Sequence, residues 1–273
     1  MGETAPLTIQ RIAIFPLTGA VLFPGLHLPL HIFEPRYSAM VQEVLARDRQ
    51  IGMIQPRQLP GEEDREPPAL YDVGCVGRIV DVEALDEGRF NLVLEGVARF
   101  RVRRELDVTT PFRQVEAEIE LEAEEEAVLA SIERASLERE AKRFAARQGY
   151  VVDWDSVGQL DDATLVNGIA QVAPFDAAAK QALLEATPID ARAELVVQLM
   201  QFFGRFDGEP GFQPAFIAAR CAQPCAAAAR PFLDQPVGQK RGKIVGRASF
   251  GRIFGRRIGQ PRVGALLLQR VER

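Results

Sequence analysis

Hydrophobic and polar positions alternate with a period of two through most of the first 121 residues and then change to helical spacing. Ile12-Ala13-Ile14-Phe15 ends at Pro16, and Gly19 and Pro24-Gly25 punctuate the way to Leu26, Leu28, Leu30 and Ile32. Alternation of this kind marks a strand with one buried face. Pro35 then sits where proline is tolerated, in a first helical turn, and Tyr37, Met40, Val41, Val44 and Leu45 fall on one helical face. Glu34 is placed to cap that helix, its carboxylate accepting from first-turn amides.

Strand signals continue at Ile51-Gly52-Met53-Ile54, and residues 56–68 form a loop rich in proline and charge, expected to be exposed and mobile. Val73 to Glu83 and Phe90 to Gly96 flank Asp86-Glu87-Gly88-Arg89, which predicts a hairpin whose glycine supplies a positive backbone angle. From Val97 to Arg104, Val or Phe alternates with Arg, which predicts a solvated arginine face. From Phe112 to Leu121 the glutamates occupy what should be the outer face.

At Glu122 the period changes. A helix is predicted from there to about Arg147, with Val128, Leu129, Ile132, Ala135, Ala141, Phe144 and Ala145 as its apolar stripe and Gly149 as its stop. A second helix starts near Asp161-Asp162. A third follows Pro174, with Asp176 as N-cap. A fourth opens at Thr187-Pro188-Ile189-Asp190, with proline at the first helical position, and runs to Phe203. Leu165, Val166, Ile169, Val172, Leu183, Leu184, Leu195, Val196, Leu199 and Met200 suffice to close a bundle. The expected architecture is α+β: a β-rich subdomain over 8–121, a helical bundle over 122–203, and a basic Arg/Gly/Ala-rich tail over 204–273, disordered or non-native, with few signals for a core of its own.

With 273 residues, 47% hydrophobic and 26% charged, the composition is that of a soluble globular protein. No apolar run approaches the ~18 residues of a membrane span, and the N-terminus lacks a secretory pattern, so the cytoplasm is the expected location. Three cysteines, Cys75, Cys221 and Cys225, are too few and too oddly spaced for a disulfide framework. Charge is unevenly divided: residues 204–273 hold thirteen Lys or Arg against four Asp or Glu, a balance of +9, which leaves −14 on residues 1–203.

Four stretches in order carry a family resemblance: Ile14-Phe15-Pro16-Leu17 with Leu22-Phe23-Pro24-Gly25; Leu28-Pro29-Leu30 with Ile32-Phe33-Glu34-Pro35-Arg36-Tyr37; Val73-Gly74-Cys75-Val76-Gly77-Arg78-Ile79; and Gly96-Val97-Ala98-Arg99-Phe100-Arg101-Val102. Residues 10 to about 203 resemble the N-terminal domain of Lon protease in its stand-alone form. The resemblance implies a PUA-like β-barrel or pseudo-barrel with a packed helix, then a helical bundle. It also implies binding of unfolded or extended polypeptide, with an ATPase or protease as a conceivable partner.

Catalytic machinery is not expected. A nucleotide-driven protease needs a glycine-rich phosphate loop ending in Lys-Ser or Lys-Thr, and the nearest imitation, Gly238-Gln239-Lys240-Arg241-Gly242-Lys243, lacks the spacing and the hydroxyl. Of the four lysines, Lys142, Lys180, Lys240 and Lys243, none sits in a segment resembling the Lon catalytic region. His27 and His31 share a strand face without a third metal ligand, Glu34 and Arg36 read as a cap and a local ion pair, and Asp153-Trp154-Asp155 and Asp161-Asp162 read as turns and caps. Catalytic, cofactor and metal residues are therefore expected to be none, and no ligand-binding residue stands out. A second reading is nucleic-acid binding, through the PUA-like fold by analogy or through the tail, where Gly246-Arg247, Gly251-Arg252 and Gly255-Arg256 around Phe250 and Phe254 resemble arginine–glycine segments that bind phosphate backbones. The tail's Arg, Ala, Gly and Pro bias fits better an extension without function, such as a frameshifted reading of GC-rich sequence.

Overall fold

The longest strand organises the fold. In the computed structural model, which describes residues 8–57, 67–120, 128–204 and 269–270, strand β7 (Phe90–Glu105) runs for 16 residues. One of its edges meets β2 (His27–Ile32) over Phe90 to Glu95 and β8 (Gln114–Glu120) over Arg99 to Glu105. Its other edge meets β6 (Val73–Ala84) over Phe90 to Arg101. From β6 the sheet continues to β3 (Gln50–Ile54), which lies parallel to β1 (Thr8–Pro16), and β1 returns to β8. Strands β7, β6, β3, β1 and β8 thus close a barrel, and β2 is added outside the closed ring. Its interior is filled by Ile12, Ile14, Ile54, Val76, Ala98, Phe100, Val115, Ala117 and Ile119.

Beyond the barrel, the first half of β7 continues with β2 and the end of β6 as a three-stranded ribbon. The inner face of this ribbon, with Leu28, Leu30, Ile32, Leu92 and Leu94, joins a second core that includes Tyr37, Met40, Val41 and Val44 of helix α1 (Pro35–Leu45). Those four helical positions match the predicted stripe. The Glu34 carboxylate does not cap α1: it accepts from Arg36 Nε at 2.9 Å, while the first-turn amides of Tyr37 and Ser38 use the Glu34 carbonyl. A charged donor two residues away is the stronger partner for the carboxylate. The hairpin tip is a short 3-10 turn, Asp86–Gly88, with Gly88 at φ 70° and Glu87 at φ 61°. Two further short strand pairs are β4 (Pro56–Arg57) with β5 (Ala69–Leu70) and β9 (Tyr150–Val151) with β10 (Gln269–Arg270).

Arg101, Arg103 and Arg104 of β7 are exposed as alternation predicts, and they pair with the glutamates of β8. Arg104 meets Glu116 at 2.8 Å, Arg103 meets Glu118, and Arg101 meets Glu120 at 3.7 Å. Arg99 is buried at 4% exposure, with its guanidinium 3.3 Å from Glu120 and Nη1 donating to the Leu184 carbonyl at 3.4 Å. Leu184 belongs to helix α5 (Ala177–Glu185), so a helix eighty residues away covers a position that looks solvated in the strand pattern. Glu118 is buried as well.

The helical part comprises α2 (Ser131–Gln148), α3 (Trp154–Gly158), α4 (Asp162–Val172), α5 and α6 (Ile189–Phe203). Asp161 and Asp176 cap α4 and α5 as predicted, accepting from Thr164 and Ala179 amides at 2.8 and 2.7 Å. Asp153 caps the short α3 in the same way. Helix α2 starts at Ser131, later than predicted; residues 121–127 lie outside the described residues. Its buried stripe is Leu137, Ala141, Phe144 and Ala145. Ile132 and Ala135 lie roughly 140° and 160° round the helix from Leu137 and face solvent, and Val128 precedes the helix and is exposed too. Val172, at the end of α4, is also exposed. Pro188 is the N-cap of α6 and not its first helical residue: its backbone is extended, at φ −86° and ψ 177°, behind a cis Thr187–Pro188 bond.

Contacts divide the chain into two units: one, Met1–Cys221 with Val263–Arg273, holds every described residue; the other, Ala222–Arg262, lies outside them. The reading of 204–273 as a structureless tail likewise falls outside the described residues, apart from Gly204 and the short β10.

Candidate functional site

The outer face of the β2–β7–β6 ribbon is built in rows by strand register. His27 stands opposite Glu95, which stands opposite Arg78; Pro29 stands opposite Val93, which stands opposite Asp81; His31 stands opposite Asn91, which stands opposite Glu83. A bulge between Ile79 and Asp81 places the extra residue Val80 beside the middle row. The two flanking rows are knitted by side chains: Arg78 pairs with Glu95 at 2.7 Å, His31 Nδ1 and Asn91 Oδ1 are 2.8 Å apart, and Asn91 Nδ2 donates to Glu83 at 2.9 Å. The middle row is apolar on β2 and β7 and ends on the exposed Asp81 of β6, with Val80 beside it, and it is open. Val80 is 45% exposed, Pro29 is exposed and Val93 half-buried. Phe33, 46% exposed, stacks on His31 at 6.1 Å between ring centroids and extends the face toward the hairpin tip.

Beside this face runs the outer edge of β2, and it is blunted. Gly96 N donates to the Leu26 carbonyl at 2.8 Å, so by antiparallel alternation Leu28, Leu30 and Ile32 turn their polar backbone groups toward β7, and His27, Pro29 and His31 turn theirs away. The outward His27 carbonyl is already taken by Gln171 Nε2 of α4 at 2.9 Å. Pro29 has no N–H to offer. The end of β6 is interrupted by its bulge and carries Asp81 and Glu83, two further devices that discourage strand addition.

A family model described as the ATP-dependent protease La (LON) substrate-binding domain matches residues 11–201. The chain belongs to this family. It is 30% identical over 200 residues to Lon protease 2 of Myxococcus xanthus, covering 70% of this chain and 23% of that protein. It is 28% identical over 201 residues to Lon protease 2 of Sorangium cellulosum, covering 70% and 24%. The chain thus spans about a quarter of the length of these relatives. Among solved structures, a Lon N-terminal domain protein from Xanthomonas campestris aligns with TM-score 0.52 at 22% identity, covering 69% of this chain and 98% of that one. The N-terminal domain of a Mycobacterium avium complex Lon protease aligns with TM-score 0.52 at 18% identity, covering 70% and 98%. Both show the α+β fold. The matched region is the substrate-binding domain and neither the ATPase nor the protease domain.

Among the described residues no group of three His, Cys, Asp or Glu is placed to hold a metal. His27 Nδ1 and Gln171 Oε1 are buried without hydrogen-bond partners, although Gln171 bonds the His27 carbonyl through its other amide atom. The Asp153 carboxyl is held below its ordinary value by the Ser156 hydroxyl and amide. For Asp161 burial pushes upward, but the Thr164 hydroxyl and amide outweigh it and hold the group low. Both stay ionised at neutral pH, as caps do and as general acids do not. Asp162 accepts from the Leu129 amide and from Arg134. Cys75 is buried, its thiol 3.6 Å from the Val76 carbonyl; Cys221, Cys225, Lys240 and Lys243 lie outside the described residues. Lys142 sits over the Trp154 ring. Lys180 is buried with Nζ donating to the Gln171 carbonyl at 2.9 Å, and loss of hydration lowers its pKa to about 8.

An apolar cavity of about 40 Å³ opens between α2, α3, α4 and α6, lined by residues such as Phe144, Trp154 and Met200. It is far below the roughly 300–1,000 Å³ of small-molecule sites. Among the described residues no helix is long and apolar enough to cross a membrane. Sequence reading missed the ribbon face. Its signal was there in Pro29, Val80 and Val93, apolar residues at positions where a solvated strand face would carry charge.

Proposed function

We infer that this Lon domain is a non-catalytic recognition module for unfolded or extended polypeptide, acting in the cytoplasm through its β-rich part, 8–121, with the helices of 122–203 as support. The open apolar row of Pro29, Val93 and Val80 carries this reading: exposed apolar side chains held rigid between two hydrogen-bonded rows offer reversible burial to a partner. Membership of a substrate-binding family supports it. The charge of −14 on residues 1–203 weighs against a phosphate backbone as the partner of this part of the chain.

Direct titration of the full chain into fluorescently labelled casein, a persistently unfolded protein, tests the reading. Saturable binding that a compact protein of equal charge does not match supports it; no binding to casein overturns it. Incubation with casein and ATP should leave the casein intact, and its cleavage would overturn the non-catalytic part.

A further inference from the structure

We propose that the outer face of the β2–β7–β6 ribbon selects extended segments in which one bulky apolar side chain is flanked by lysine or arginine. The proposal rests on the polypeptide-recognition reading and names its surface and client chemistry. The apolar row crosses three strands spaced ~4.8 Å apart, so its breadth of about 10 Å suits one large side chain and not a continuous apolar run. Phe33 stands at the end of this face, four residues along the chain from Pro29 and so about 13 Å away, and with His31 it offers an aromatic surface to a neighbouring residue of the same extended segment.

Charge around the row decides what flanks it. The basic groups on and next to the face are already committed: Arg78 to Glu95 and Arg36 to Glu34, with Arg89 Nε donating to the Asp86 carbonyl near Glu87. Asp81, Glu83 and Asp86 have no ion-pair partner among the described residues. Glu83 is held in place by Asn91, so its charge is oriented in advance. A client with basic flanks brings the missing counter-charges; a client with acidic flanks meets like charge. Because Pro29 and Gln171 blunt the edge of β2, main-chain pairing contributes little and discrimination falls to side chains.

The test uses the full chain and three short labelled peptides, followed by anisotropy at low salt: phenylalanine flanked by lysines, phenylalanine flanked by glutamates, and serine flanked by lysines. The first should bind about tenfold more tightly than either of the others, and the preference should shrink as salt is raised. D81N/E83Q, which keeps the acceptor for Asn91, should bring the two phenylalanine peptides within about twofold of each other. V93S should weaken the lysine–phenylalanine peptide by roughly fivefold, and F33S, at an exposed position that folding tolerates, should act in the same direction. V128S/I132S, at exposed positions just before and at the start of α2, should change nothing. Equal affinity for the three peptides, or a loss in V128S/I132S without a loss in V93S and F33S, overturns the assignment. If casein still binds in that case, the recognition reading stands and this surface falls; if casein does not bind, both fall.

Discussion

Gln55 Nε2 donates to Gln181 Oε1 at 3.2 Å, and both side chains are almost fully buried. Between them they reach four other groups: Gln55 accepts from Gly19 N at 2.8 Å and donates to the Ala177 carbonyl at 2.9 Å, and Gln181 donates to the Val73 carbonyl at 3.0 Å and to Glu185 at 2.7 Å. Barrel strand and helix α5 are thus fastened by two amides with little spare capacity. Gln181→Leu should cost about 1–3 kcal/mol, since it strands Gln55 and the Val73 carbonyl without water to replace the lost partner. Urea denaturation followed by circular dichroism measures it, and an unchanged midpoint would contradict the account.

Arg192 has no exposed surface and distributes its donors over the end of α5 and onto α4. Nε reaches the Leu183 carbonyl at 3.0 Å, Nη2 the Ala186 carbonyl at 2.7 Å and Nη1 Asn167 Oδ1 at 2.6 Å, and the guanidinium lies 5.4 Å from the Phe23 ring centroid. A lysine keeps the charge and loses the planar fork. Arg192→Lys should therefore lose about 2–3 kcal/mol of stability, read as a lower denaturation midpoint.

Lys180 makes stability depend on pH in a defined window. Its folded pKa, about 8, lies below the ordinary 10.5, so between those values the unfolded chain binds more protons than the folded one. Stability from this group then rises as pH climbs from about 8 to 10.5, by about 3 kcal/mol in all, and below that window its penalty is constant. Denaturant titrations of the wild type and Lys180→Met across this range should show the difference between them shifting toward the wild type; a constant difference would refute the assignment.

Gly96 sits where the chain of β7 passes under the Phe23–Pro24 turn. A methyl group there would lie 2.0 Å from the Phe23 carbonyl oxygen, and Gly96 is pinned through its amide to Leu26 and through its carbonyl to Gly25 N. Gly96→Ala should cost about 3 kcal/mol, with a matching fall in the thermal midpoint, because neither backbone can retreat without losing those bonds.

What could be read from the sequence was what depends on neighbours along the chain. The stripe of α1, the aspartate caps of α4 and α5 and the positive angle at Gly88 follow from short-range spacing and appear as expected. Arg99 looks solvated in the strand pattern because nothing nearby in sequence says that Leu184 will cover it. The ribbon face needed register: Pro29, Val93 and Val80 lie in distant segments and become one row only through strand pairing and a bulge whose place no local pattern reveals. Glu34 takes the N-cap position and forms the expected local ion pair with Arg36, and it is that pair which keeps its carboxylate from the first-turn amides.

The missing N–H of Pro29 and the clasp of Gln171 on His27 have a further consequence. A protein that meets unfolded chains is surrounded by sticky strands seeking a template, and an open sheet margin would recruit them into growing aggregates. In the recognition role proposed above, closing that margin while leaving the broad side of the same ribbon accessible would let the domain hold such a chain briefly and release it, without being drawn into the deposit its clients would otherwise form.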